Sequence, residues 1–253
     1  MSLNIRPKRS HLMAAGHYNA ANFSLGEPSL FDHGELNDLQ ALQDKCRALP
    51  VDPAPGLRRR AKSECIISPD GAITPLLGRP YKQDYEGAEL GVRQFVEIDM
   101  EVVALRSYQE LLRQHRVLAR LCQPELFGED VREIVHLVNY GPRGLRCSFS
   151  HPIENHSDKE KHVGLTVVEV SNNLIGGGNN LFVPGAKLPN THIRLNVLES
   201  LILGDRCKHG VSVMSSSDGE LASRSIALFT YQRATAPPDP EGNTDAEENR
   251  TAG

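Results

Sequence analysis

With 253 residues, 39% of them hydrophobic and 24% charged, the chain is long enough to bury a sizeable core and has the composition of an ordinary globular protein. Its 28 Lys and Arg against 32 Asp and Glu give a net charge of −4 with histidine neutral, so no basic excess exists to neutralise phosphates and a nucleic-acid partner is not expected. Five scattered cysteines without a C-x-x-C pair argue against a disulfide framework. No stretch approaches a membrane span, and no apolar run follows the basic segment Met1–Arg9, so a cytoplasmic protein without a secretory leader is expected.

Residues 1–30 lack periodicity and read as a partly disordered or draped arm, residues 31–233 as one domain, and residues 234–253, rich in Pro and acidic residues, as a disordered tail. The spacing of Leu36, Leu39, Cys46 and Leu49 predicts a helix over 35–49, closed by Pro50. Arg58-Arg59-Arg60 reads as the solvated, basic start of a strand. Cys65-Ile66-Ile67, Pro69-Asp70-Gly71 and the run from Ala72 to Leu76 read as a hairpin, and Tyr81-Lys82-Gln83 as a strand.

The strongest helical pattern runs from Arg106 to Cys122. Tyr108, Leu111, Leu112, Leu118, Leu121 and Cys122 form its apolar face, and Pro124 stops it; His115 reads as a partly exposed residue of this helix. Ile134–Tyr140 reads as a strand containing a packed or edge-facing His136, followed by a turn at Gly141-Pro142-Arg143-Gly144. His162 flanks the next strand, Val163–Val170. Asn172–Asn180 lacks the Lys-Ser/Thr ending of a phosphate loop and reads as a hairpin turn, with Leu181–Val183 as the return strand. Ser223–Tyr231 is an apolar strand bearing Arg224.

Between these elements sits His156-Ser157-Asp158. In an extended segment, side chains at i and i+2 point the same way, so His156 and Asp158 can reach one ion from a single strand end. His209, 53 residues on, can complete a two-His, one-carboxylate set, which holds iron(II) on one face and leaves the other open. His151 has no carboxylate two residues on and is the weaker candidate. Cys207, two residues before His209, would suggest zinc as a thiolate ligand; the carboxylate and the arginine strand favour iron. Arg224, 15 residues after His209, can grip a carboxylate through its planar fork, with Arg206 and Arg194 as alternatives.

His-x-Asp alone is a weak motif. The order His-x-Asp, strand, Gly-rich turn, His-Gly-Val, Arg-bearing strand resembles the 2-oxoglutarate-dependent non-haem iron dioxygenases, and within them the bacterial free-amino-acid hydroxylases such as isoleucine dioxygenase. The matching pieces include Arg58-Arg59-Arg60, Tyr81-Lys82-Gln83, Gly91-Val92-Arg93-Gln94-Phe95, Pro152–Asp158, Asn173–Gly177, Gly204–Val211 and Arg224–Phe229, over roughly residues 57 to 232. One departure is Lys159, where the family usually has Gly; it leaves the triad intact and changes the adjoining loop.

The resemblance implies a mainly β double-stranded β-helix (a cupin-like jelly roll) supported by helices. It implies Fe(II) on His156, Asp158 and His209, and 2-oxoglutarate with its distal carboxylate on Arg224. It further implies O2-driven hydroxylation of an unactivated C–H bond with release of succinate and CO2. Asp158 argues against halogenation; desaturation or cyclisation, including on a larger natural product, stays open. So does a non-catalytic cupin-like binding protein. The substrate it implies is a small zwitterion, most simply a free amino acid. Glu154 is a candidate for its ammonium, Arg93 for its carboxylate, and Tyr81 and Gln83 for further contacts; the charge of Arg143 is better read as part of its turn. Self-association is left open, and no membrane partner is expected.

Overall fold

A computed structural model describes residues 20–24, 33–52, 56–85, 88–150, 156, 162–182, 187–189, 191–204 and 208–234. Fourteen strands and three α-helices are present among them. The strands are β1 (Ala20–Ser24), β2 (Arg58–Ile67), β3 (Ile73–Pro75), β4 (Tyr81–Tyr85), β5 (Ala88–Arg93), β6 (Val131–Tyr140), β7 (His162–Val170), β8 (Leu174–Ile175), β9 (Asn179–Phe182), β10 (Thr191–Ile193), β11 (Glu199–Gly204), β12 (Lys208–Val211), β13 (Ser215–Ser216) and β14 (Arg224–Arg233). The helices are α1 (His33–Arg47), α2 (Met100–Val103) and α3 (Arg106–Cys122).

Seven strands form one antiparallel sheet in the order β1-β11-β7-β14-β6-β2-β3, while β10-β9-β12, β13-β8 and β4-β5 form smaller ladders. Strand alternation gives the large sheet two faces. On β14, Ala227, Phe229 and Tyr231 join Leu42, Tyr108 and Leu118 of the helices in one core. Ile226 and Leu228 face a second core with Leu174, Leu181 and Met214 from the smaller ladders. The result is a β sandwich with helices on its outer face, the jelly-roll arrangement expected from the sequence.

Several elements differ from their sequence reading. β1 lies inside the segment read as an arm and pairs with β11, from Ala20↔Leu203 to Ser24↔Glu199. The Gly- and Asn-rich turn does not join a hairpin: β8 pairs with β13, and β9 with β10 and β12. The first helix starts two residues early and ends at Arg47, and α3 has the predicted bounds. Its face is rotated, however: Leu121 is 68% exposed, whereas Gln114 and His115 are buried. His115 stacks on Phe229 with ring centroids 3.8 Å apart and shares a 2.5 Å hydrogen bond between Nε2 and Thr166 Oγ1. Gly164 makes room for it, since a Cβ there would lie 2.5 Å from His115 Nδ1. His162 is also buried under α3, edge-on to Tyr231, on the sheet face opposite the cavity described below. The rest of residues 1–30, and residues 235–253, lie outside the described residues.

Candidate active site

The site lies between the large sheet and the ladder containing β12. His209 sits in β12 opposite Leu181. His156 pairs with His209 in an isolated antiparallel bridge, exchanging both backbone bonds: N–H of His156 to the carbonyl of His209 at 2.9 Å, and the reverse at 2.8 Å. Directly opposed residues in an antiparallel pair project their side chains to the same face. The two imidazole centroids are accordingly 4.6 Å apart, with an interplanar angle of 51°. Upstream, Ser148 and Met214 exchange backbone bonds in the same way, at 2.9 and 2.8 Å.

Both imidazoles line a cavity of about 80 Å3. Its walls are apolar where β7, β11 and β14 contribute Leu165, Leu201, Ile226 and Leu228, and cationic where β2 contributes Arg58 and Arg60. Neither arginine is solvated as the sequence reading expected: they are 4% and 5% exposed, and only Arg59 of the triplet faces out.

Arg224 opens β14 and is buried, next inward after Ile226 on that strand. Its register partner is Tyr140, and Met214 and Gly177 close around its stem. Gly177 has φ +74°, and a Cβ there would lie 3.0 Å from Arg224 Cδ and 3.2 Å from Met214 Cγ, so only glycine serves both the turn and the arginine. The flanking residues fix the strand start: Ser223 and Ser225 each donate from Oγ to Glu169 Oε2 at 3.0 Å, and Asn139 donates to both hydroxyls. Among the described residues, Nη1 and Nη2 of Arg224 have no hydrogen-bond partner. Burial lowers its pKa from the usual value, yet a guanidinium stays protonated in proteins. A buried cation without a counter-charge is costly, so this side chain is arranged to receive an anion.

Other expected site residues are placed as follows. Asp158 and Glu154, like Lys159, Arg206 and Cys207, lie outside the described residues; among the described ones no group of three or more His, Cys, Asp and Glu could hold a metal. Tyr81 packs against His136 and Phe95, with centroids 4.7 and 6.0 Å away, and is not among the residues lining the cavity. Arg93 ends β5 in register with Tyr81, with a buried Nη1 that has no partner among the described residues. Gln83 is in β4, its side chain outside the described residues. Arg143 and Arg194 are exposed. Sequence reasoning missed Arg58 and Arg60; the signal was the i, i+2 alternation within β2.

The residues present fit an iron centre that uses a dicarboxylate: two adjacent imidazoles suit a borderline cation, and the guanidinium of Arg224 suits a carboxylate. No helix among the described residues is long and apolar enough to cross a membrane.

Comparison with known proteins agrees. A 2OG-Fe dioxygenase family model matches residues 43–230. The chain is 36% identical over 141 residues to L-isoleucine-4-hydroxylase of Bacillus thuringiensis, covering 55% of this chain but only 58% of that protein. It is 25% identical over 206 residues to 3(1)-hydroxy-L-isoleucine 4-dioxygenase of Pantoea ananatis (strain AJ13355), covering 78% and 82% of the two chains. The crystal structure of IDO from Bacillus thuringiensis superposes with a TM-score of 0.75 at 26% identity, over 85% of this chain and 94% of that one. Members of this family use Fe(II), 2-oxoglutarate and O2. The protein belongs to the 2OG-Fe dioxygenase family.

Proposed function

We propose that the protein hydroxylates an unactivated C–H bond of a free amino acid or a similarly small zwitterion. In this reading His156, Asp158 and His209 hold Fe(II), and Arg224 pairs with the distal carboxylate of 2-oxoglutarate. The observation that carries it is the buried Arg224 guanidinium, two nitrogens unpartnered, beside a cavity that two imidazoles line. The named activities of the two curated relatives, both on isoleucine or a hydroxylated isoleucine, support the substrate class.

When bound, iron(II) with 2-oxoglutarate and O2 supplies the oxidising power that turns a C–H bond into an alcohol, with succinate and CO2 as co-products. The chain's own residues do the positioning. Arg224 fixes the far end of the cosubstrate through a charge-assisted fork, which sets the distance of its other end from the imidazoles. Leu165, Leu201 and Ile226 keep water from the reacting carbon and suit an aliphatic side chain. No residue of the cavity wall needs to move a proton.

The test is an anaerobic titration with Fe(II) and 2-oxoglutarate, watching for a weak visible charge-transfer band. Succinate release is then measured against a panel of free amino acids, with mass detection of a product heavier by one oxygen. If the band forms and succinate appears only with a peptide, a carrier-bound aminoacyl group or a larger natural product, the substrate assignment is wrong and the iron assignment stands.

A further inference from the structure

Strand β2 carries four charged residues on one face, Arg58, Arg60, Lys62 and Glu64, and all four are buried. The stripe divides into two halves with different fates. Lys62 Nζ donates to Glu64 Oε2 at 2.8 Å and to the carbonyl of Arg79 at 2.8 Å, and Glu64 Oε1 accepts from Arg132 Nε at 2.6 Å. That half is closed on itself. The other half, Arg58 and Arg60, lines the cavity beside His156 and His209.

Arg58 uses Nε on Asp52, at 2.5 Å, and keeps a buried Nη2 without a partner among the described residues. Arg60 is held by its surroundings. Its guanidinium carbon stands 4.5 Å from the ring centroid of Phe95 and 5.7 Å from that of Tyr81, and its Nε donates to His136 Nδ1 at 3.1 Å. His136 is a neutral acceptor: burial, then the charges of Arg60, Lys62, Arg58 and Arg93, hold it well below the ordinary imidazole pKa. That bond orients the Arg60 guanidinium. Two oriented guanidiniums at i and i+2 on one strand face thus meet the cavity.

This pair is distinct from Arg224. Arg58 and Arg224 are both in register with Tyr140, one on each side of it, so two strand spacings, roughly 10 Å, separate their backbones. We propose that Arg58 and Arg60 form a second anion seat in this cavity, one that takes the carboxylate of the small substrate while Arg224 takes that of the cosubstrate. The proposal rests on the function proposed above and names how it selects an acid. The planar forks of this wall match a carboxylate, and an amide or an ester offers them no anionic oxygens to grip.

The experiment is calorimetry on the full chain, loaded with Fe(II) and 2-oxoglutarate under nitrogen. The probes are L-isoleucine, L-isoleucinamide and 3-methylpentanoate. The wild type is compared with Arg58→Lys and Arg60→Lys, which keep the charge and remove the fork. Expected is an acid-over-amide preference of at least about ten-fold in the wild type, falling to about three-fold or less in either variant. Equal binding of acid and amide by the wild type overturns the proposal without need of a folded variant. So does a preference that survives in both variants, or a loss of 2-oxoglutarate affinity as large as the loss of isoleucine affinity, which would make the pair part of the cosubstrate site. If 3-methylpentanoate binds in an arginine-dependent way while no free amino acid elicits succinate, the amino-acid reading fails and the seat stands. If neither acid binds the wild type, the seat is wrong.

Discussion

The two faces of the large sheet both bury polar side chains, and they do so on different terms. Under the helices, Glu133 is gripped by Arg116 through two bonds of 2.9 and 2.6 Å, and His115, Thr166 and Ser200 form a short relay. The ring atoms left over there, His115 Nδ1 and His162 Nε2, belong to groups that burial keeps neutral. On the cavity face the leftover atoms include Nη2 of Arg58 and Nη1 and Nη2 of Arg224. An imidazole sheds its proton when dehydrated; a guanidinium does not. Leftover ring nitrogens under the helices are therefore a tolerated feature of packing, while the leftover guanidinium nitrogens on the other face of the sheet are an invitation to an anion.

The comparison breaks most visibly at the imidazoles. With His156 and His209 as iron ligands, His156→Ala or His209→Ala removes turnover by more than the roughly 10- to 100-fold that outer partners of a metal site cost. Succinate release and bound iron per chain check this, with circular dichroism reporting the fold. Full iron binding by either variant removes that residue from the metal site.

Arg224 sharpens the contrast. Arg224→Lys raises the 2-oxoglutarate KM about ten-fold or more, in line with ~1.5–3 kcal/mol for a hydrogen bond to a charged group. Arg224→Met abolishes measurable cosubstrate binding and stabilises the ligand-free fold, on the scale of ~1–4 kcal/mol found when buried ions are replaced by apolar residues. Urea unfolding with and without 2-oxoglutarate measures both effects. A destabilised Arg224→Met protein would mean that the guanidinium is satisfied within the fold.

Under the helices the expected effect is one of pH. His162 is pushed down to about 4 and His115 well below 6.5, both chiefly by burial. Below about 6.5 the unfolded chain takes up protons that the folded one refuses. Stability is complete above that pH and falls toward pH 4, at up to ~1.4 kcal/mol per pH unit for each histidine. Unfolding midpoints at pH 7.5 and 5.5 reveal the slope, and His162→Phe makes it shallower; an unchanged slope would show that His162 charges freely in the fold. The smallest effect belongs to Gly177→Ala. The added methyl presses on Arg224 Cδ and strains a left-handed residue, costing about 1 kcal/mol and a few-fold in 2-oxoglutarate KM, with no change in the amide-against-acid preference.

How much of this was legible in the sequence depends on how far away the deciding residue lies. The bounds of α3 were readable because apolar period and Pro124 are local. The burial of His115 was not: it needs Gly164 across the sheet to vacate space, and nothing within α3 announces that. Arg58-Arg59-Arg60 looked like a charge run because such runs usually meet water. Its alternation with Ala61, Ser63 and Cys65 carried the faces correctly, but that the arginine face is interior as well depended on the cavity wall from β6, β7 and β14. The pairing of His156 with His209 was inferable as chemistry. The backbone bridge that brings them together was not, because no local pattern marks a single-residue ladder.

The two borders of the large sheet close by different means. β3 is three residues long and ends at Pro75, which has no N–H to offer a stranger. β11 carries the apolar run Leu201-Ile202-Leu203, and its outward hydrogen-bonding groups are taken by β1. A shortened chain that begins after Ser24 would present that run as an unpaired border, and it is expected to self-associate strand to strand and precipitate even with every residue of the active site in place.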